Sequence, residues 1–356
     1  MSTIREVARR AQVSIGTVSN VLRGSATVSP AVRERVNQAI AELDYHPNEI
    51  ARSLKTRQTN LLGMVISDIT NPFFPQLTRG AEDAALEHEY LLVTANTDDQ
   101  LKREQQVLSV LRNRRVDGIL LVVAPGLPDS DHIQRTIAAG IPIVCLDRIP
   151  SELNVSSVSV DAAYGTEMCI RHLISMGHRS IGIITGNLRL ATAVDRLEGY
   201  KNALREAGIE VDPALVIEGD FRLESGYLRT KELLLGRVRS TALFVSNCMM
   251  GLGALRAMKE IGVRSPDDLA LAVFDDLPGN GSFYPEVTAV VQPAYEIGYK
   301  GAELLISEIE GETNGTPARI RLRPELRVRE STLRRIGAEP VHKGASPARS
   351  TSEHPA

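Results

Sequence analysis

The 356-residue chain has no tryptophan, three cysteines and only 4% aromatic residues. Cys145, Cys169 and Cys248 stand far apart, with neither metal-ligand spacing nor the pattern of a disulfide framework. No apolar run approaches the roughly 18 residues of a membrane-spanning helix. The first residues are polar and charged, without the apolar core of a secretory leader. These features set the expectation of a cytoplasmic protein with no membrane partner. Catalytic signatures are missing too: there is no phosphate-binding loop, no nucleophile elbow and no metal-spaced histidine cluster. His88, His132, His172 and His178 are scattered, and His178 in its Gly-His-Arg turn reads as structural. Gly279-Asn280-Gly281 is not followed by a strand-to-helix junction, so it reads as a loop. No catalytic residue, metal or cofactor is expected, and the chain is not expected to be an enzyme.

What is present is apolar mass and an uneven charge. Hydrophobic residues make up 43% of the chain, and the length suits two or three domains. Residues 1–60 carry nine basic and five acidic side chains, a net charge of +4, while the rest carries 32 against 39, a net of −7. A small basic unit on an acidic body suits phosphate contact by that unit alone.

In the basic unit, Ile4, Val7, Ala8 and Ala11 recur at helical spacing, and Val18, Val21 and Leu22 repeat the pattern. A short polar break lies between them, with Ser14 placed to cap the second helix. This is the layout of a helix-turn-helix, whose second helix enters the DNA major groove. Ser29-Pro30 then opens a third helix lined by Val32, Val36, Ile40 and Leu43. The following run, Asn48 to Thr59, is too short to be a stable helix alone.

From Leu61 onward strands and helices alternate. Strands are expected at Leu61–Ile66, Tyr90–Thr94, Gly118–Val123 and Ile143–Leu146. A second series follows Ser156–Val160, with strands at Ile181–Thr185, Leu215–Glu218, Leu243–Ser246 and Leu269–Phe274. The intervening helices are expected at Pro75–Glu89, Gln100–Arg112, Ile133–Ala139, Ala163–Met176, Arg196–Ala207, Ser225–Leu235 and Met250–Ile261. Such alternation means parallel sheets covered on both faces, here in two lobes. Ligands of open parallel sheets bind beyond the carboxyl ends of the strands. Those ends are polar or aromatic: Ser67 to Phe74, Asn96-Thr97-Asp98, Asp147-Arg148, Gly186-Asn187, Asp220-Phe221, Ser246-Asn247-Cys248 and Asp275-Asp276. One cleft between two lobes would collect most of them.

Several of these runs carry a resemblance. Thr3–Leu22, Val28–Tyr45, the Ala51–Leu62 stretch, Asp68-Ile69-Thr70-Asn71-Pro72-Phe73-Phe74, Arg196-Leu197-Glu198-Gly199-Tyr200, Phe274-Asp275-Asp276 and Val328-Arg329-Glu330-Ser331 resemble the LacI/GalR (lac repressor) family. The resemblance runs from about Thr3 to Thr332. It implies an α/β chain: a three-helix helix-turn-helix head (residues 1–46), a hinge helix and linker (47–60), and a two-lobed body like a type I periplasmic binding protein (61–336). A disordered tail (337–356) is expected from composition; it lacks leucine heptads, so no tail-driven tetramer is expected.

By the same resemblance Ile15, Gly16 and Asn20 read bases, and Ser14, Thr17 and Ser19 contact phosphates. Thr3, Asn48, Ala51, Leu54 and Lys55 join the DNA face, with Leu54 as a minor-groove wedge that kinks the duplex. Asn20 can pair with adenine, and Ile15 can meet a thymine methyl. The family's effector contacts fall on Phe73, Phe74, Arg148, Thr192, Arg196, Phe221, Asn247 and Asp275. Phenylalanines can stack on a sugar or base face, Asp275 can accept from paired hydroxyls, and Arg196 can donate in a planar fork. One departure stands out: the family usually follows Asn247 with an aspartate, and here the residue is Cys248.

The partners implied are a double-stranded, palindromic DNA operator, a second copy of the chain in a homodimer, and a small-molecule effector. The effector is a sugar or sugar derivative first and a nucleobase or nucleoside second. The function implied is a ligand-responsive transcriptional regulator, repressor before activator. A solute-binding protein and a metabolic enzyme on a doubly wound fold are the rival classes.

Overall fold

The computed structural model describes residues 2–22, 27–45, 58–126, 130–149, 153–236, 238–282, 284–312 and 315–333. Asn48, Ala51, Leu54 and Lys55, most of the expected hinge and the expected tail lie outside them. The chain divides into two compact units, residues 1–60 and 61–356.

The first unit holds α1 (Ile4–Ala11), α2 (Ile15–Leu22) and α3 (Pro30–Glu42). A capping box opens α1: the Glu6 amide donates to Thr3 Oγ1 at 3.4 Å, and the Thr3 amide donates to Glu6 Oε2 at 2.7 Å. Gln12 closes the helix in the left-handed region, with φ 53°. Ser14 caps α2, its hydroxyl accepting from the Thr17 amide at 3.1 Å. The helices share one core of Val7, Ala8, Ala11, Val18, Val21, Val36, Ala39 and Tyr45. Leu22, expected on the buried face, is the last residue of α2 and remains exposed.

The second unit has two lobes, each built on a six-stranded sheet. The first lobe contains β1 (Leu61–Ile66), α4 (Phe73–Glu87), β2 (Leu91–Asn96), α5 (Leu101–Asn113), β3 (Gly118–Leu121), α6 (Asp131–Ala138), β4 (Ile143–Leu146) and β5 (Ser157–Val160). The second contains α7 (Ala162–Ser175), β6 (Ile181–Thr185), α8 (Ala191–Glu206), β7 (Val216–Glu218), α9 (Leu223–Leu235), β8 (Ala242–Val245), α10 (Cys248–Ile261), β9 (Ala270–Phe274) and β10 (Thr288–Val291). The chain then returns: α11 (Ala294–Ile309) and β11 (Arg319–Leu322) complete the first lobe, and β12 (Glu325–Arg327) completes the second. Strand orders are β11-β5-β4-β3-β1-β2 and β12-β10-β9-β8-β6-β7. Every pairing is parallel except β10 with β12. The backbone therefore crosses between lobes three times, after β5, β10 and β11. The two series expected from the sequence end at Leu269–Phe274; the structure adds β10, α11, β11 and β12 beyond them, and α11 and β11 return to the first lobe.

Central strands are buried on both faces, as parallel sheets between helix layers require; β3, β4, β6, β8 and β9 have no exposed residue. The returning helix α11 packs on α4 at backbone distance. A Cβ placed on Gly298 would lie 1.9 Å from the Leu77 carbonyl oxygen, and one on Gly80 would lie 2.0 Å from that of Tyr295. Only hydrogen fits there. Gly298→Ala must push two helices apart, a strain on the order of 1–3 kcal/mol. The expected result is a melting temperature several degrees lower in a thermal-unfolding measurement. An unchanged value would mean the helices separate freely.

Candidate functional site

Each unit presents one face to consider. In the first, Ser14, Ile15, Gly16 and Asn20 are exposed along the start of α2, and Ile15 keeps 45% of its surface accessible. An exposed isoleucine beside a bare glycine backbone suits close approach to base edges. Thr17 is half-buried and its hydroxyl lies 2.9 Å from Ser14 Oγ. Thr3 is engaged by its own capping box. Arg10 is tied to Glu42 at 2.5 Å, joining α1 to α3.

In the second unit, the strand ends of both sheets meet at a cavity between the lobes. The first lobe supplies Asp68 and Asn71 after β1, Phe73 and Phe74 on the first turn of α4, Asp99 after β2, and Asp147 and Arg148 after β4. The second supplies Thr192 and Arg196 from α8, Phe221 and Arg222 after β7, Asn247 after β8, Asp275 after β9 and Gln292 after β10. All eight residues named for the effector from the sequence line this one cavity. Asp68, Asn71 and Asp147 stand among the strand ends read from sequence, without an assigned role. Asp99, Arg222 and Gln292 were not singled out at all. Asp99 follows β2 by three residues and Arg222 follows Phe221, so strand-end reasoning reaches both. Gln292 follows β10, a strand the sequence pattern did not separate.

Local structure aims these side chains. Asp147, Phe221 and Asp275 have left-handed backbones, with φ of 63°, 68° and 66°. Such strain in non-glycine residues is held only by surrounding structure and clusters at functional sites. The Phe221 carbonyl accepts from Asn247 Nδ2 at 2.9 Å, and the Asn247 side chain also caps α10 through the Met250 amide, 2.9 Å away. Phe73 and Phe74 meet edge to face with centroids 5.1 Å apart. Cys248, in place of the family's aspartate, is fully buried on the first turn of α10 and contacts Asn71 Oδ1 at 3.6 Å. Asn247 does the capping, so the lost carboxylate does not uncap the helix. Burial pushes the thiol of Cys248 up, consistent with a packed rather than reactive cysteine.

Charge inside the cavity is dense. The Arg196 guanidinium sits 3.8 Å from the Phe274 ring centroid and donates to the Ser246 carbonyl at 2.5 Å. Burial lowers its pKa, while Asp275 and Asp147 oppose that shift. Arg148 pairs with Asp99 at 2.5 Å. Burial raises Asp147 against the pull of Arg148 and Arg196. Asp275 accepts from Gln292 Nε2 at 2.5 Å, and burial carries its pKa up to about 6. Asp147 Oδ1, Arg148 Nε, Arg196 Nε and Gln292 Oε1 are buried without a hydrogen-bond partner in the protein. Buried polar atoms are ordinarily satisfied, so four orphans around one cavity mark a place built for a polar guest. Among the described residues no cluster could hold a metal ion, and no helix is long and apolar enough to cross a membrane.

The Asp275 shift gives a test. A carboxyl that holds its proton more tightly when folded contributes stability at low pH, and loses it as pH rises through about 6. Asp275→Asn removes that loss. The melting temperature of the variant, relative to the parent, should therefore rise by several degrees between about pH 4 and pH 7. A flat or falling difference would place Asp275 in a solvated setting instead.

Comparison with known proteins matches this architecture. Residues 59–326 match the family described as periplasmic binding proteins and sugar binding domain of LacI family, and residues 3–48 match bacterial regulatory proteins, lacI family. A ribose operon repressor from Haemophilus influenzae is 38% identical over 331 residues, covering 93% of this chain and 98% of the relative. The lac repressor dimer bound to operator and the anti-inducer ONPF superposes with TM-score 0.82 at 27% identity, covering 93% of this chain and 99% of that one. A LacI family transcriptional regulator from Enterococcus faecium with bound ribose has TM-score 0.69 at 29% identity, covering 76% and 98%. With a helix-turn-helix unit ahead of a two-lobed ligand cleft, the chain belongs to the LacI family and is a DNA-binding transcriptional regulator with an effector-binding body.

Proposed function

We propose that this regulator is a repressor that binds a palindromic operator as a homodimer in the cytoplasm, and that its effector is a neutral sugar of pentose size. The observation that carries the effector reading is the ring of unpartnered buried atoms on Asp147, Arg148, Arg196 and Gln292. They comprise two acceptors and two donors, and a polyol hydroxyl can serve either kind. Phe73, Phe74 and Phe221 offer aromatic surface to the C–H faces of a sugar ring. Four carboxylates (Asp68, Asp99, Asp147, Asp275) face three guanidiniums (Arg148, Arg196, Arg222), a balance that disfavours sugar phosphates and sugar acids. A relative named for a ribose operon and a structural neighbour with bound ribose make D-ribose the first compound to test.

On the DNA side, Ile15, Gly16 and Asn20 are the proposed base readers, and Thr3, Ser14, Thr17 and Ser19 the proposed phosphate contacts. Asn48, Ala51, Leu54 and Lys55 rest on the resemblance alone. Ligand and operator act through one equilibrium of the two-lobed body, so each shifts the other's affinity by the same factor. For the dimer, the edge strand β2 brings Leu91 and Val93 to the surface, 61% and 40% exposed, beside Leu86 at 58%. An apolar sheet edge of this kind needs a cover.

Three experiments test the proposal. In thermal shift and calorimetry on the full chain, D-ribose should raise the melting temperature, and ribose phosphate and hypoxanthine should not. Binding of either of the latter in place of ribose would overturn the neutral-sugar reading. In fluorescence anisotropy with an operator selected from randomised palindromes, D-ribose should release the DNA; tighter binding would make it a co-repressor. The double variant Leu91→Lys, Val93→Lys should run as a monomer in size exclusion with light scattering and lose operator affinity. A variant that stays dimeric would put the interface elsewhere.

A further inference from the structure

The cleft residue Arg222 is engaged in a way that ligand contact does not require. It projects from the second lobe, yet its guanidinium donates to Asp68 Oδ2 of the first lobe at 2.6 Å. A second carboxylate of the first lobe, Asp99, lies 3.9 Å away. Asp99 in turn holds Arg148, whose Nε approaches Asp147 at 3.9 Å. A chain of alternating charges thus runs from the rim, across the lobe boundary, to the wall of the cavity.

Both ends of the rim contact are set in advance. Asp68 Oδ1 accepts from the Thr70 amide and hydroxyl at 3.0 and 2.6 Å, which leaves Oδ2 facing Arg222. Asp220 Oδ1 accepts from the Arg222 amide at 2.8 Å, and Asn247 holds the Phe221 carbonyl between them. Preorganised partners lose little freedom on pairing, which raises the net value of a bridge at a partly exposed rim. Arg222 is about a third exposed and Asp68 about a tenth. Arg222 also shares its tight turn with Phe221, which packs into the cavity with a Cβ on Gly186 excluded by its ring at 1.9 Å. A ligand that seats Phe221 seats Arg222 with it.

We propose that Arg222 is a latch that holds the two lobes closed over the bound ligand, acting through Asp68 and Asp99. It is a positioning residue rather than a hydroxyl contact, and it governs how long the ligand stays rather than what is recognised. The inference rests on the sugar-binding reading of the same cleft.

The test uses the full chain and has two independent readouts. In amide hydrogen exchange without sugar, Arg222→Gln should speed exchange in residues 68–74 and 219–223. Adding Asp68→Asn, which keeps the acceptor for Thr70, should then change little further. Unchanged exchange in Arg222→Gln, or additive effects of the two variants, would overturn the latch. In a chase with tritiated D-ribose, dissociation should be about fivefold faster in Arg222→Gln, the scale of one partly exposed ion pair, with association little altered. Arg222→Lys, which keeps charge but not the planar fork, should fall between. Added salt should speed release from the parent and not from Arg222→Gln. Release at the parent rate would overturn the latch. Failure of the parent to bind D-ribose would overturn the effector reading, while the exchange result would still decide the latch.

Discussion

Desolvation of the Arg196 guanidinium is the constraint on which the rest of the cleft depends. A buried cation survives only when its surroundings replace water. Here the replacement comes from parts of the chain far apart in sequence: the Ser246 carbonyl at the end of β8, the Phe274 ring at the end of β9, and the carboxylates of Asp275 and Asp147. Each sits at the carboxyl end of a parallel strand, the position where helix and strand layers leave polar groups uncovered. The arrangement satisfies the charge but leaves Arg196 Nε without a partner. The fold thus tolerates a buried charge and holds a donor ready for a guest.

The lobes are not independent bodies strung together. Three chain crossings join them, and α11 returns from the second lobe to pack on α4 with no room for a side chain at Gly80 or Gly298. The contact between these helices fixes the first turn of α4, which carries Phe73 and Phe74 into the cavity. On the opposite wall, Asn247 joins the cap of α10 to the turn that presents Phe221 and Arg222. The cavity lining, the Asp68–Arg222 contact between lobes and the helix packing are therefore neighbouring links of one contact network. That is the physical basis on which a small molecule can bias a two-state body.

The Cys248 position shows how a single substitution is read differently from the two sources. In sequence it removes a carboxylate expected near the cleft. In the structure Asn247 performs the cap and Cys248 packs behind the wall, in contact with Asn71 of the other lobe. The change makes the lobe boundary less polar at that point and leaves the charge at the rim to Asp68, Asp99 and Arg222.

The order of helices and strands was legible because periodicity is local. Val7, Ala8 and Ala11 mark one helix face wherever it packs, and runs such as Ile181–Thr185 are apolar throughout because both sheet faces are covered. For the elements read from sequence, ends shifted by a residue or two; the largest shift was α8, which begins at Ala191 rather than Arg196 because Thr192, Ala193 and Arg196 bury the turn that looks polar in sequence, whereas β10, α11, β11 and β12 were not read from sequence at all. The sequence by itself determined the fold class and the strand ends at which a ligand site can form. Only the tertiary structure decided that α11 and β11 return to the first lobe, that Gln292 joins the cavity, and that Arg222 reaches across to Asp68. The first and last of those facts depend on contacts between residues more than a hundred positions apart, and the place of Gln292 depends on the pairing of β10 with β9, none of which a local pattern of side chains encodes.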